Sequence, residues 1–340
     1  MTAVVRNDGY DAPAWKIANT ASPQMIRVES LTKSFGPKVA VNDVSFSLER
    51  GEVLGFLGPN GAGKSTTMRM ITGFIKPSEG KIRVGGYDMI ADPLPAKRLL
   101  GYLPENAPVY VDMTVRSFLN FCAELSGLRG DARKKAVHRV AETCFLESVL
   151  EQSVDTLSKG YRHRTCFAQA IIHDPDVLVL DEPTDGLDPN QKREIRGLIR
   201  RMGERKAIIF STHILEEVEA ACTRALIIDH GKIVANGTPE ELKRRSESGA
   251  VLVAVCVPGD AAGARLTQEL VKVPNVRQTT IVKEENGEIW ARVYPRTEHR
   301  NGELIRNVLA AANGWEVKEV RTEEGRLDDV FRSLTLPEAK

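Results

Sequence analysis

Apolar positions along this chain switch between two spacings. From Met25 onward they come in short blocks of strand length: Ile26 to Glu29, Val41 to Leu48 and Glu52 to Leu57. The third block runs into a glycine-rich loop, and the segment from about Lys64 to Gly73 predicts a helix. Leu99 to Leu103 reads as another strand, and Pro104 disfavours helix there, so Glu105 is expected on a loop. Between roughly Val109 and Val154 the spacing becomes helical. Thr114 can cap a helix that carries Val115, Phe118, Leu119 and Cys122 on one face, and Ala136, Val137, Val140, Ala141 and Cys144 mark a second. Buried-strand patterns return at Val177 to Leu180, Ala207 to Phe210 and Ala225 to Asp229. Thr238-Pro239-Glu240-Glu241 then combines an N-cap, a first-turn proline and a capping-box glutamate.

The remainder has its own rhythm. Val251 to Val257 reads as a strand, Ala262 to Val271 as a helix, and a strand starts at Val276. Asn286-Gly287 makes a tight hairpin into Glu288 to Tyr294. A helix from about Gly302 to Ala312 and a strand from Trp315 to Val320 complete a β-α-β-β-α-β order, that of the ferredoxin-like split unit, with a short helix Leu327 to Leu334 appended. The expected organisation is a flexible N-terminal extension over 1–24, an α/β domain over 25–246 with a helical subdomain at about 107–165, and a C-terminal α+β domain over 250–340.

Composition narrows this little. The 340 residues are 42% hydrophobic and 27% charged with a formal net charge of +1, which argues against a general nucleic-acid binder. No apolar run approaches the roughly 18 residues that span a bilayer, and the N-terminus lacks the continuous apolar core of a signal peptide. A cytosolic chain is expected, one that needs a partner for any work at a membrane. The five cysteines have neither CxxC pairing nor zinc-ligand spacing, so reduced core thiols are expected.

The chemistry begins in the glycine-rich loop. Gly58-Pro59-Asn60-Gly61-Ala62-Gly63-Lys64-Ser65-Thr66 satisfies the P-loop pattern, in which backbone N–H groups and a helix N-terminus meet phosphate. Lys64 would reach the β- and γ-phosphates of ATP, and the Ser65 hydroxyl would sit on Mg²⁺. Val177 to Asp181 is an apolar strand ending in a carboxylate, the Walker B arrangement that supplies a second metal anchor. Glu182 follows, where it can polarise an attacking water.

With these residues in place, the chain resembles the ATP-binding cassette (ABC) ATPases from Phe35 to the helix after Thr238. Leu157-Ser158-Lys159-Gly160-Tyr161 resembles the signature motif, Asp185-Gly186-Leu187-Asp188 the D-loop, and Ser211-Thr212-His213 the switch-histidine loop. The resemblance implies a P-loop ABC ATPase core with a helical subdomain. It also implies head-to-tail pairing of two such domains, as a homodimer or with a second ATPase subunit. Each ATP would lie between one P-loop and the partner's signature helix, so Ser158 and the Gly160 backbone would meet the γ-phosphate from across the interface. Glu182 would be the general base, His213 would hold the γ-phosphate and the water, and Phe35 would stack on adenine.

Two departures stand out. Lys159 replaces the usual second signature glycine and Tyr161 the usual glutamine, which is expected to add positive charge near the partner's phosphate without loss of binding. Glu105 takes the Q-loop position where glutamine is usual and is a third candidate metal ligand beside Ser65 and Asp181. LSKGYR with GYLPE, and the closing Leu327-Asp328-Asp329-Val330-Phe331, resemble exporter subunits of the drug-efflux and gliding-motility kind. Those energise a separate integral membrane permease from the inner face of the cell membrane. The alternative, a soluble ABC ATPase acting on nucleic acid or the ribosome, fits less well. Such proteins carry two cassettes or a long coiled-coil insert, whereas this chain has one set of motifs and an insert of roughly 45 residues. A nucleotide-sensing module without turnover is disfavoured by intact Lys64, Asp181, Glu182 and His213.

Overall fold

A computed structural model describes residues 24–105, 109–245, 251–256, 262–285, 287–296, 301–312, 314–322 and 327–335. It divides into two compact units, 1–236 and 237–340. In the first, β1 (Gln24–Phe35) turns through Gly36-Pro37 into β2 (Lys38–Glu49), and the two pair antiparallel with Phe35 opposite Lys38. The strand takes in Gln24, which the sequence reading left in the extension; residues 1–23 of that expected extension lie outside the described residues. β3 (Val53–Leu57) is buried along its whole length and leads through the glycine-rich loop into α1 (Lys64–Ile71). β4 (Glu79–Val84) and β5 (Tyr87–Asp88) extend the antiparallel sheet in the order β2-β1-β4-β5, and α2 (Pro93–Arg98) precedes β6 (Leu100–Leu103).

The helical insert is built from α3 (Val115–Leu125), α4 (Gly130–Thr143), two single 3-10 turns and α5 (Lys159–Ile171). Thr114 caps α3, its Oγ1 accepting from the Ser117 N–H at 3.2 Å. The expected apolar faces of α3 and α4 are buried together in one core with Phe167 and Ile171 of α5. The last helix runs past the expected end of the insert near residue 165, because its apolar residues continue onto the sheet.

After the insert come β7 (Val177–Asp181), α6 (Pro189–Gly203), β8 (Ala207–Thr212), α7 (Leu215–Ala221), β9 (Arg224–Asp229) and β10 (Lys232–Gly237). The second sheet has the order β10-β9-β3-β8-β7-β6, parallel from β9 to β6. Parallel strands are covered on both faces, so they read as unbroken apolar runs. Val177 and Val179 of β7, with Ala207 and Ile209 of β8, enter the core shared with α1 and the antiparallel sheet. Leu178, Leu180, Ile208 and Phe210 point into the helical core. The register sets Leu57 beside Thr212 and Asp181 beside Ser211, so β3, β8 and β7 end together. Ligands of open α/β sheets bind at such carboxyl ends.

The second unit contains α8 (Pro239–Arg245), β11 (Val251–Cys256), α9 (Ala262–Val271), β12 (Val276–Glu285), β13 (Glu288–Pro295), α10 (Asn301–Ala311), β14 (Glu316–Thr322) and α11 (Leu327–Thr335). Its antiparallel sheet has the order β12-β13-β11-β14, with the first strand between the third and the last, as in the ferredoxin-like split unit. Alternation on β13 buries Ile289, Ala291 and Val293 against α9 and α10. Asn286 of the expected hairpin turn lies outside the described residues, and Gly287 beside it takes φ +77°. The capping box of α8 forms as the sequence suggests, with Thr238 Oγ1 accepting from the Glu241 N–H at 3.1 Å. That helix belongs to the second unit, where it packs on α11, whereas the sequence boundary near Ser246 groups it with the first. All five cysteines are free, and burial pushes the Cys122, Cys144 and Cys166 thiols up to about 12.

Candidate active site

The glycine-rich loop leaves β3 and closes on α1 with no side chain capping that helix. Gly63, its N-cap, has φ +108°, and a Cβ there would stand 2.6 Å from the Ala40 carbonyl oxygen, so only glycine fits. The loop is tied down where the Gly231 N–H donates to the Ala62 carbonyl at 2.9 Å. Free N–H groups at a helix start form a ready anion site. Lys64 is buried and folds back over its own loop. Its Nζ donates to the carbonyls of Gly58 (2.8 Å) and Pro59 (3.3 Å) and stands 3.6 Å from Glu182 Oε1.

Asp181, at the end of β7, is fully buried. Its Oδ1 accepts from Ser65 Oγ at 3.1 Å and from Ser211 Oγ at 2.5 Å, while Oδ2 is buried without a hydrogen-bond partner. An orphaned carboxylate oxygen in the interior is costly. A hard divalent cation beside the Ser65 hydroxyl would satisfy it, so these residues fit Mg²⁺. Among the described residues no group of three His, Cys, Asp or Glu could hold a metal by itself. These residues would supply only part of a coordination shell, as is usual where Mg²⁺ also binds phosphate. Glu105 is exposed on the wall of the same cleft.

Glu182 takes φ +50°, an uncommon conformation for a residue with a Cβ, and its N–H donates to Ser211 Oγ at 3.0 Å. Its Oε2 lies 3.2 Å from His213 Nδ1. Burial pushes the Glu182 carboxyl above its ordinary value, while the His213 hydrogen bond and the Lys64 charge pull it back. A carboxylate raised in this way is a stronger base. A cleft of about 370 Å³ opens over this cluster, walled by the P-loop on one side and by Phe35 and Lys38 on the other. Phe35 is 52% exposed, which excludes a place in the core, and the Lys33 ammonium stands 5.1 Å from its ring centroid.

A family model described as ABC transporter matches residues 41–185. The linearmycin resistance ATP-binding protein LnrL of Bacillus subtilis (strain 168) is 31% identical over 315 residues, 92% of this chain and 98% of LnrL. The chain belongs to the ABC transporter ATP-binding family. The probable multidrug ABC transporter ATP-binding protein YbhF of Escherichia coli (strain K12) is 38% identical over 231 residues. That alignment takes in 68% of this chain and 40% of YbhF, so the chain spans two fifths of that relative. A solved ATP-binding subunit of an ABC transporter superposes with a TM-score of 0.61 at 29% identity, over 65% of this chain and 92% of that one.

In this ABC cassette the signature motif starts α5 and lies apart from the cleft. Ser158 caps the helix, its Oγ accepting from the Tyr161 N–H at 3.3 Å, and Gly160 packs on the terminal amide of Gln191 of α6, where a Cβ would stand 2.5 Å from Gln191 Oε1. The Lys159 ammonium pairs with Asp185 of the D-loop at 3.2 Å and lies over Gly186, an intrachain partner that the motif alone does not announce. Both partners are largely exposed, and such a pair is worth little in water. Sequence reasoning named Ser211 only as part of the switch loop and missed that it joins Asp181 to the Glu182 backbone; it passed over Lys38, opposite Phe35 at the cleft mouth. A small hydroxyl residue ending a buried strand beside Walker B was the available signal for Ser211.

Proposed function

We propose that this chain is the ATP-hydrolysing subunit of an ABC exporter, coupled to a separate membrane permease. The observation that carries the reading is the convergence of Lys64, Ser65, Asp181, Glu182 and His213 at the carboxyl ends of three adjoining strands. In this mechanism the P-loop N–H groups and Lys64 bind the triphosphate, with Lys64 exchanging its loop carbonyls for phosphate oxygens. Phe35 stacks on the adenine. Glu182 Oε accepts a proton from water as the water oxygen bonds to the γ-phosphorus, and the bond to the bridging oxygen of ADP breaks. His213 keeps the Glu182 carboxylate oriented and faces the γ-phosphate. Mg²⁺, when bound by Ser65 and Asp181 with Glu105 on the cleft wall, neutralises charge on the phosphates.

Two copies, or this chain and a second ATPase subunit, pair head to tail and present Ser158 and Gly160 to the partner's nucleotide. The place of the signature motif outside the cleft supports this arrangement. The exporter reading draws on relatives named for multidrug transport, linearmycin resistance and Nod factor export. No helix among the described residues is long and apolar enough to cross a membrane. The reading assigns the membrane span to the permease and this chain to the inner face of the cell membrane, and it involves no nucleic acid.

Glu182→Gln tests the proposal. It keeps the phosphate cradle and removes the base, so ATP binding persists, hydrolysis falls by about 100-fold or more, and ATP holds a dimer that light scattering detects. Normal hydrolysis by this variant, or a monomer with ATP bound, overturns the reading.

A further inference from the structure

Glu217 takes no part in the chemistry above, yet its carboxylate is 1% exposed. It projects from α7, just beyond the switch loop. Its Oε1 accepts a hydrogen bond from Thr184 Oγ1, and its Oε2 accepts from Thr212 Oγ1 at 2.7 Å. Lys192 of α6 brings its ammonium to 3.8 Å. A charge this deep is tolerated only when paired and hydrogen-bonded, and each of these contacts comes from a different segment.

Two of those segments carry the catalytic pair. Thr184 lies two residues past Glu182, and Thr212 immediately precedes His213. The ladder between β7 and β8 ends where Asp181 faces Ser211. Past that point no backbone ladder joins the two segments; the Ser211 hydroxyl still accepts from the Glu182 N–H, and Glu182 Oε2 lies 3.2 Å from His213 Nδ1. The Thr212 hydroxyl is committed on both sides, donating to Glu217 and accepting from the Ile214 N–H at 3.0 Å, which fixes the backbone around His213. On the other segment, Asp185 N–H donates to the Glu182 carbonyl at 3.1 Å, so the turn anchored by Thr184 starts at the base itself.

We infer that Glu217 is a positioning residue, a buried clamp that joins the Walker B turn to the switch loop through the hydroxyls of Thr184 and Thr212 and thereby sets the Glu182–His213 geometry. The inference rests on the reading of Glu182 as base and His213 as its partner. The Lys192 ammonium balances the buried charge and ties the clamp to α6, the helix that follows the D-loop.

The test uses the full chain and compares steady-state ATPase kinetics with affinity for a fluorescent ATP analogue and with the melting temperature. Glu217→Gln and Thr212→Val are expected to lower kcat by about 10- to 100-fold, the scale of a displaced catalytic group, with KM and analogue affinity within about threefold of wild type. Thr212→Ser, which keeps the hydroxyl, recovers most of the turnover lost in Thr212→Val. Should Glu217→Gln not fold, the Val and Ser variants of Thr212 carry the test. Wild-type kcat in both Glu217→Gln and Thr212→Val, with Glu182→Gln inactive, overturns the clamp alone. The same follows if Thr212→Ser is as slow as Thr212→Val, since the hydroxyl then does not matter. A Glu182→Gln enzyme that hydrolyses normally removes the reading beneath it.

Discussion

His163 makes the cassette sensitive to acid, by an amount that follows from its surroundings. It lies on α5, is 8% exposed, and neither ring nitrogen has a hydrogen-bond partner. Burial pushes the imidazole down from 6.5 to about 4, against a pull upward from Asp185 and with a further push down from Lys159. The unfolded chain therefore takes up the proton first as pH falls, so stability is complete above about 6.5 and drains away toward about 4. The whole gap corresponds to about 3 kcal/mol, of which about 2 kcal/mol is lost between pH 7 and pH 5. His163→Leu removes the titrating ring while keeping an apolar side chain of similar bulk. Urea unfolding followed by circular dichroism at both pH values gives the double difference, which cancels every other titrating group. The chain forms two compact units, so the loss has to be read from the first unit alone. Of the three tryptophans, Trp290 and Trp315 lie in the second unit, so in a Trp15→Phe background their fluorescence identifies the change to set aside. The wild type is expected to lose about 2 kcal/mol more than His163→Leu in the first unit. Equal losses in the two proteins would mean that the imidazole is not a buried neutral group, and the reasoning fails.

Two further outcomes concern the cleft. Phe35→Ala is expected to raise KM for ATP by about 3- to 10-fold with kcat little changed, as the loss of an aromatic contact in binding alone requires; a fall in kcat at constant KM contradicts the stacking role. Glu105→Gln is expected to relax the Mg²⁺ requirement for nucleotide binding, because it removes a negative charge beside the triphosphate, and Glu105→Ala to lower turnover. Titration of Mg²⁺ against ATP affinity checks this, and superimposable curves for wild type and both variants show that Glu105 does not face the metal.

Much of this arrangement is legible in the sequence where one short segment carries its own signal. The P-loop, the apolar strand ending at Asp181 and the Ser-Thr-His run are local patterns, and each appears at the end of a strand as its pattern requires. The β-α-β-β-α-β order of the second unit is equally local, since alternation and cap residues announce each element. What stays hidden is pairing between segments. Ser211 and Glu217 matter because β7 and β8 lie side by side, and nothing within either segment states that neighbour. Lys159 reads as an added charge until the D-loop folds beside it and supplies Asp185. The start of α8 is visible in its capping box, but the unit it joins depends on α11, almost a hundred residues later. β4 escapes notice because only Ile82 and Val84 of its six residues are buried, too few to make a pattern.

The back-folded Lys64 has a consequence for the working cycle. Its ammonium already holds two carbonyls of its own loop and sits beside Glu182, whose other oxygen holds His213. On the proposed reading of Lys64, an arriving triphosphate would have to displace these internal partners. Affinity is set by the difference between two well-satisfied arrangements. Under the proposed role of Lys64, release of the nucleotide would return the ammonium to these carbonyls, so the loop itself competes with the spent nucleotide.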